Sequence, residues 1–115
     1  MSVTQHLSYD ALNSLKEVME DDFNFLIDTF IQDSEDRLAK LHELVGSDDA
    51  DAIRRASHSF KGRCSNLGAL RLASLCAASE RKALDTDVAN LATDLAEIEA
   101  EFLMVKQLML DFIAQ

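Results

Sequence analysis

Proline and tryptophan are absent from this sequence of 115 residues, and glycine occurs only three times. Proline and glycine are the residues that interrupt helices most strongly, so long helices meet few obstacles here. Aromatic residues make up 6% of the chain, which gives little support for strands. Because 48% of the residues are hydrophobic, the composition predicts a helical protein that can bury a core.

Positive charge is also scarce. The chain has 11 Lys and Arg residues against 21 Asp and Glu residues, and its net charge at pH 7 is −10. Affinity for nucleic acid comes mainly from cations that neutralise phosphates, and anionic membrane surfaces attract basic segments in a similar way. We therefore expect no nucleic acid and no membrane among the partners of this protein.

The two cysteines, Cys64 and Cys76, do not form a CxxC motif, and no histidine pair has metal-ligand spacing. Neither a disulfide scaffold nor a metal site is expected, and both thiols fall on inward helix faces. No apolar run reaches the roughly 20 residues that span a bilayer. The N-terminus lacks the basic start and apolar run of a signal peptide. These features predict a cytoplasmic protein without a metal or other cofactor.

The length suits a single domain over residues 1–115. Ser8 is a candidate N-cap of a first helix, while Gly46 and Gly68 are natural stops for the second and third helices. Ser47 and Asp48 are candidate caps for the third helix. The predicted helices span residues 8–19, 22–45, 49–67 and 69–84, and a fifth runs from about residue 87 almost to the C-terminus.

The fifth helix carries a heptad seam, in which apolar residues are spaced alternately three and four apart. This pattern is typical either of an intermolecular coiled coil, which would make a homodimer, or of one helix in an intramolecular bundle. Short connections and the other amphipathic helices favour the bundle. We therefore predict an all-α, antiparallel four-helix bundle (up-down-up-down) with a short extra N-terminal helix, and a monomer. The seam residues are Val88, Leu91, Leu95, Ile98, Phe102, Val105, Met109 and Phe112.

On a helical wheel the third helix has two contrasting faces. One face is apolar and should be buried, and the opposite face carries most of the polar and basic residues. The apolar face comprises Ile53, Ala56, Phe60, Cys64 and Leu67. The outer stripe comprises Arg54, Arg55, His58, Lys61, Gly62 and Ser65.

Three residues of the outer stripe suggest a site that accepts a phosphoryl group. A neutral imidazole such as that of His58 is a nucleophile, and Lys61, one turn away, could steady the added negative charge. Gly62 costs about 1 kcal/mol relative to alanine within a helix, but its missing side chain would leave space for a partner. The alternative is that His58 is simply solvated and that helix packing requires Gly62. Periodicity does not decide between a phosphoryl-accepting site and this alternative.

The stretch ASHSFKGRCSNLGALRLASLCAASE, residues 56–80, resembles the signature of histidine-containing phosphotransfer (HPt) domains. The resemblance extends from about residue 12 to residue 80, and the sequence is close to stand-alone bacterial members rather than to HPt modules fused to a sensor kinase. Phe60 replaces the usual Leu, Ser57 the usual Ala, and Ser79 the usual Leu on an inward face, which leaves the packing there open. The matched positions are His58, Lys61, Gly62, Gly68, Ala69, Leu72, Cys76 and Glu80.

The resemblance implies a phosphorelay carrier. His58 would accept a phosphoryl group from the phospho-aspartate of a receiver domain, usually on a hybrid sensor kinase, and pass it to the aspartate of a response-regulator receiver. Lys61 would steady the phosphoryl group, Gly62 would give clearance and Glu80 would orient the imidazole. The magnesium ion would belong to the receiver. No ATP-binding glycine loop is present, so autonomous kinase activity is not expected.

Some assignments stay open at this point. Arg54, Arg55 and Ser65 are candidate partner-binding residues, and Ser65 either hydrogen-bonds the phosphoryl group or is solvated. Phe25 lies outside the main apolar stripe of the second helix. It either packs against the first helix, which is the preferred interpretation, or docks a receiver. The alternative function is a helical-bundle adaptor that binds receiver domains without phosphotransfer.

Overall fold

The computed structural model describes residues 6–47 and 49–115, and over these ranges every regular element is helical. None of the helices in these ranges is long and apolar enough to cross a membrane. The elements are α1 (Tyr9–Met19), a 3-10 turn (Glu20–Asp22), α2 (Phe23–Ser47), α3 (Ala50–Asn66), α4 (Leu70–Leu84) and α5 (Leu91–Ile113).

The first helix, α1, begins at its predicted cap. The Ser8 Oγ accepts a hydrogen bond from the backbone N–H of Ala11 at 3.2 Å. Leu12 is fully buried and anchors the helix on the core. Glu20 follows with a φ of 50° and ends the helix. Both ends of α1 therefore agree with the sequence prediction.

The predicted ends of α2 are slightly wrong. Asp22 belongs to the 3-10 turn, and the helix continues through Gly46 to Ser47. A glycine ends a helix when it adopts a left-handed conformation, but Gly46 stays helical and no atom lies within 4 Å of where its Cβ would be. Nothing at this position forces the chain to turn, and the helix therefore runs on.

Asp49, rather than Ser47, caps α3. The Asp49 Oδ1 accepts a hydrogen bond from the backbone N–H of Ala52 at 3.1 Å. Ser47 still belongs to α2, and its hydroxyl donates to the carbonyl of Leu44 at 2.8 Å. The predicted capping role of Asp48 lies outside the described residues.

Gly68 ends α3 as predicted, although the last helical residue is Asn66. Gly68 has a φ of +75°, and the N–H of Ala69 donates to the carbonyl of Cys64 at 2.9 Å, which is the pairing of a Schellman motif. The carbonyl of Gly68 also accepts a hydrogen bond from the N–H of Ser8 at 2.8 Å. This junction therefore holds the start of α1 against the turn between α3 and α4.

The connection between α4 and α5 is longer than predicted. Thr86 adopts a φ of 58°, and the N–H of Asp87 donates to the carbonyl of Lys82 at 2.8 Å. The chain therefore leaves the helical path after Leu84, and α5 begins at Leu91 rather than near Asp87.

Contacts between side chains show that neighbouring helices run antiparallel. On α2 and α5, Glu35 accepts a hydrogen bond from Lys106 at 3.0 Å, while His42 pairs with Glu99. The residue numbers rise on one helix as they fall on the other. In the closed bundle α2 contacts α3 and α5, and α4 contacts the same two helices. The predicted four-helix bundle with an extra N-terminal helix is confirmed.

The heptad seam of α5 lies inside this bundle. All of its residues are buried except Val88, which is half-buried. Phe112 meets Phe23 of α2 edge-on, with the ring centroids 5.9 Å apart. The hypothesis of a homodimer through this seam is therefore wrong, because the chain's own helices already cover the side chains that a coiled coil would use. That the protein is a monomer stays a prediction.

His6 ties the segment before α1 to α5, a role that the sequence did not indicate. It is buried, and its Nδ1 lies 2.6 Å from the Oε2 of Glu101, which is also buried. Arg71 of α4 approaches the other oxygen of Glu101 at 3.4 Å. A buried carboxylate requires such partners.

Replacing Gly68 by alanine should lower the free energy of unfolding by about 1 to 3 kcal/mol, since a non-glycine residue is strained at this φ. Its Cβ would also lie 3.0 Å from the Cβ of Ala11 and 3.2 Å from the carbonyl oxygen of Ser8. Urea denaturation measures the change. The matched control is Gly46→Ala, which should stabilise α2 by up to about 1 kcal/mol. Equal effects of the two substitutions would contradict this account of the junction.

Candidate functional site

The outer stripe of α3 faces away from the core, as predicted. His58 is 65% exposed, whereas Phe60 and Cys64 on the opposite face are fully buried. Gly62 and Ser65 are also exposed, and Lys61 is half-buried. The helix therefore exposes its imidazole to solvent and packs its apolar face into the bundle.

Glu80 of α4 joins two residues of this stripe. Its Oε2 lies 2.7 Å from the Nδ1 of His58, and its Oε1 accepts a hydrogen bond from the Nζ of Lys61, also at 2.7 Å. The Glu80 side chain is only 20% exposed. One carboxylate thus uses each of its oxygens to hold a different residue of α3.

The electrostatic surroundings keep Glu80 ionised at neutral pH. The hydrogen bond from Lys61 is the largest influence that lowers the pKa of Glu80, and the hydrogen bond with His58 acts in the same direction. Partial burial opposes them, because it disfavours the charged form. The net direction is a pKa below the ordinary value of 4.5.

This contact determines which imidazole nitrogen is available for reaction. An ionised carboxylate can only accept hydrogen bonds, so the Nδ1 of His58 carries the proton that it shares with Glu80. In the neutral ring the Nε2 then holds the lone pair. The contact therefore engages the Nδ1 of an exposed imidazole and not its Nε2. The orienting role of Glu80 stays a prediction.

Gly62 is not required by packing within the protein. No atom lies within 4 Å of the position that a Cβ would take there, and its backbone is ordinary helix. The alternative that this glycine is a packing requirement is therefore wrong. The space beside His58 is open, which agrees with the clearance predicted for an approaching partner.

The other predicted residues of the stripe lie farther from the imidazole or have partners of their own. Arg54 and Arg55 both pair with Asp51, at 3.1 Å and 3.3 Å. Ser65 follows His58 by seven residues, which places it about 10 Å along the helix axis. This separation favours solvation of Ser65 over a hydrogen bond to a group on His58.

Arg37 of α2 is a neighbour of the site that the sequence did not reveal. Its Nη1 donates to the Oγ of Ser59 at 2.8 Å, and its Nε donates to Asp33 at 2.7 Å. The pairing with Asp33 could have been predicted from the spacing of four residues within one helix. The contact with Ser59 depends on how α2 packs against α3, which no local pattern reports.

Beneath the site, the two serines that depart from the HPt pattern contact each other. Ser57 of α3 and Ser79 of α4 are both buried, and their hydroxyl oxygens are 3.1 Å apart. The packing around Ser79, which the sequence left open, is therefore a hydrogen-bonded pair between the two helices.

The buried cysteines lie in the same interface. The pKa of the Cys64 thiol is raised by its hydrogen bond with Cys76 and further by burial. A protonated, inaccessible thiol is inert, which supports a structural role. Within the described ranges 6–47 and 49–115, no cluster of three or more His, Cys, Asp or Glu side chains could hold a metal ion.

Charge is divided unevenly along the chain. The segment of α3 and α4, residues 50–84, contains seven Lys and Arg residues and only two Asp and Glu residues. The rest of the chain contains four Lys and Arg residues and nineteen Asp and Glu residues. The helix pair that carries His58 is therefore the basic part of a strongly acidic protein.

Comparison with known proteins identifies the family of this chain. The family model of the Hpt domain matches residues 26–108, and the chain therefore belongs to the Hpt domain family. It is similar to the crystal structure of histidine-containing phosphotransfer protein B (HptB) from Pseudomonas aeruginosa PAO1. The two sequences are 43% identical, the match covers 90% of each chain and the TM-score is 0.88. No curated protein matches the sequence.

Glu80→Gln should lower the free energy of unfolding near neutral pH, because the amide cannot form the ion pair with Lys61. The lowered pKa of Glu80 means that its carboxylate stabilises the fold above pH 4.5 and loses this effect as the pH falls through the lowered value. The difference between wild type and variant should therefore shrink in acid. Urea denaturation across this pH range, with the exposed Glu97→Gln as control, measures it. A difference that does not vary with pH would contradict the ion-pair network.

Proposed function

We propose that this protein is a phosphoryl carrier in a two-component phosphorelay, with His58 as the phosphorylated residue. The observation that carries this proposal is the contact between the Nδ1 of His58 and Glu80, which leaves the Nε2 as the nucleophile. Membership of the Hpt domain family supports it.

In the accepting step, the Nε2 lone pair attacks the phosphorus atom of a receiver's aspartyl phosphate. The N–P bond forms as the bond between phosphorus and the aspartyl oxygen breaks, and the aspartate leaves with that electron pair. The imidazole ring becomes positively charged while its Nδ1 keeps its proton. Glu80, which shares that proton, stabilises the charge as it develops.

In the donating step, the aspartate of a response-regulator receiver attacks the same phosphorus atom. The N–P bond breaks, and its electron pair returns to the Nε2. We propose that the receiver holds the magnesium ion needed in both directions, since the carrier supplies the nucleophile and its sequence contains no ATP-binding glycine loop. It would have no autonomous ATP-dependent kinase activity.

Lys61 has two roles in this proposal. In the unphosphorylated protein it pairs with Glu80 and holds that carboxylate in its ionised form. Once His58 carries a phosphoryl group, the flexible Lys61 ammonium can turn toward the new anion, which lies one helical turn away. Gly62 leaves the approach to the Nε2 unobstructed.

The surface around His58 suits a receiver domain. A receiver that presents an aspartyl phosphate is anionic at the point of contact, and the α3–α4 pair is the basic part of this chain. The candidate partner contacts are Arg54 and Arg55 of the outer stripe and Arg37, which hydrogen-bonds Ser59 beside His58. The sequence analysis preferred packing of Phe25 against α1. This interpretation is wrong, because Phe25 is 74% exposed. We propose that it adds apolar area to the docking surface.

We further propose that residues 1–115 form one Hpt domain that works as a monomer in the cytoplasm. The core cluster reaches from Leu7 to Phe112 and so includes residues on both sides of the family match. Both cysteines are free, which suits a reducing compartment.

His58→Gln should abolish labelling by a phosphorylated receiver, because the amide cannot form the N–P bond. The protein is incubated with a receiver that carries labelled phosphate, and label transfer is followed by electrophoresis. His42→Gln, which replaces another exposed histidine, is the control and should keep full labelling. Persistent labelling of the His58 variant would contradict the phosphotransfer proposal. Receiver binding without any label on the wild type would favour the adaptor.

Gly62→Gln should slow transfer at least about tenfold, because its side chain would occupy the space that the reacting groups need. The free energy of unfolding should stay equal or rise, since glycine is a weak helix former. Gly62→Ala adds one methyl group in open space and should stabilise the helix with a smaller loss of rate. Stopped-flow transfer and urea denaturation measure the two effects. Unchanged transfer in the glutamine variant would leave the glycine unexplained.

A further inference from the structure

The two residues of the imidazole–carboxylate pair each follow a buried serine. Ser57 precedes His58 on α3, and Ser79 precedes Glu80 on α4. The hydroxyl oxygens of the serines are 3.1 Å apart, and the Nδ1 of His58 lies 2.7 Å from Glu80. Two contacts between the same helices are therefore adjacent in sequence, one inside the interface and one at its margin.

The serine pair is the more protected of these two contacts. Ser57 is 0% exposed and Ser79 is 4% exposed, while His58 is largely open to solvent. Each buried hydroxyl has the other as its partner. A buried hydroxyl that loses its hydrogen-bond partner raises the free energy of the folded state. Separating the two helices, or sliding one along the other at this point, is therefore unfavourable.

The rest of the interface between α3 and α4 is less selective about register. Apart from the contacts of Glu80 with His58 and Lys61 at its margin, it consists of apolar side chains and of the buried pair Cys64 and Cys76. Apolar contacts are non-directional, and sulfur is soft and adaptable. A hydroxyl pair instead has a narrow range of distance and angle. Within the buried part of the interface, the serines are therefore the element that resists small sliding of one helix along the other.

Small sliding matters at this site because the His58–Glu80 contact spans two helices. A full turn of helix advances 5.4 Å, and a displacement of about 1 Å would already stretch a hydrogen bond of 2.7 Å beyond its useful range. The orientation of the imidazole, and with it the tautomer that leaves Nε2 free, therefore depends on the register of α3 and α4.

We propose that Ser57 and Ser79 are positioning residues of the phosphotransfer site, which hold α3 and α4 in the register that lets Glu80 orient His58. This inference rests on the proposed function for its catalytic consequence. Its structural part, the control of the His58 tautomer, concerns the unphosphorylated protein and is tested separately.

The test uses Ser57→Ala, Ser79→Ala and the double variant, each of which removes a hydroxyl with little change in volume. Nitrogen-15 NMR of the imidazole measures the share of the tautomer with a protonated Nδ1, and stopped-flow transfer from a phosphorylated receiver measures the rate. Ser34→Ala is the matched control, because Ser34 is 0% exposed on α2 and its hydroxyl has no hydrogen-bond partner within the part of the chain that is described.

Each serine variant should reduce the share of this tautomer and slow transfer by about tenfold, the scale of effect expected from a small misplacement. The double variant should match the single ones, because the two hydroxyls act as one pair. Ser34→Ala should change neither measurement. Serine variants with the wild-type tautomer share would overturn the proposal, even if they were less stable. If the wild type accepts no phosphate, the proposed function fails while the tautomer measurement still decides the positioning role.

Discussion

The close contact between α3 and α4 is the constraint on which the site depends. His58 belongs to one helix and Glu80 to the other, so the imidazole has its orienting partner only while the two helices keep their register. Small side chains at the interface, such as Ser57 and Ser79, allow the backbones to approach closely. The same contact brings Lys61 to the second oxygen of Glu80. The contacts of His58 and Lys61 with Glu80 at the surface thus depend on how the side chains of α3 and α4 pack beneath them.

The distribution of charge gives the bundle two different sides. Most acidic residues belong to α1, α2, α5 and the connections, which keeps a small protein with a net charge of −10 soluble. The basic residues are concentrated on the helix pair that carries His58. An anionic partner is therefore repelled by most of the surface and attracted to one part of it. Such a field orients a partner before contact, and it acts on association rate more than on affinity.

Much of the fold could be predicted because its signals are local. Ser8 caps α1 and Gly68 ends α3 through hydrogen bonds to residues nearby in sequence, and both were predicted. The prediction that Gly46 ends α2 was wrong, because a glycine ends a helix only where the following chain turns at once. The start of α5 was predicted too early, since the left-handed Thr86 lengthens the connection. The contacts of Arg37 with Ser59 and of Ser57 with Ser79 were missed, because each joins residues 22 positions apart.

The amino-acid sequence by itself determined the helices, their apolar faces and the outer stripe on which His58, Lys61 and Gly62 lie together. These follow from a period of 3.6 residues per turn, which places residues on a face regardless of what packs against it. Glu80 entered the site only through resemblance to a family. The tertiary structure decided that Glu80 shares its carboxylate between His58 and Lys61, and that the Nδ1 of His58 makes this contact. Periodicity cannot supply this, because the register between two helices is set by the fit of side chains across their interface.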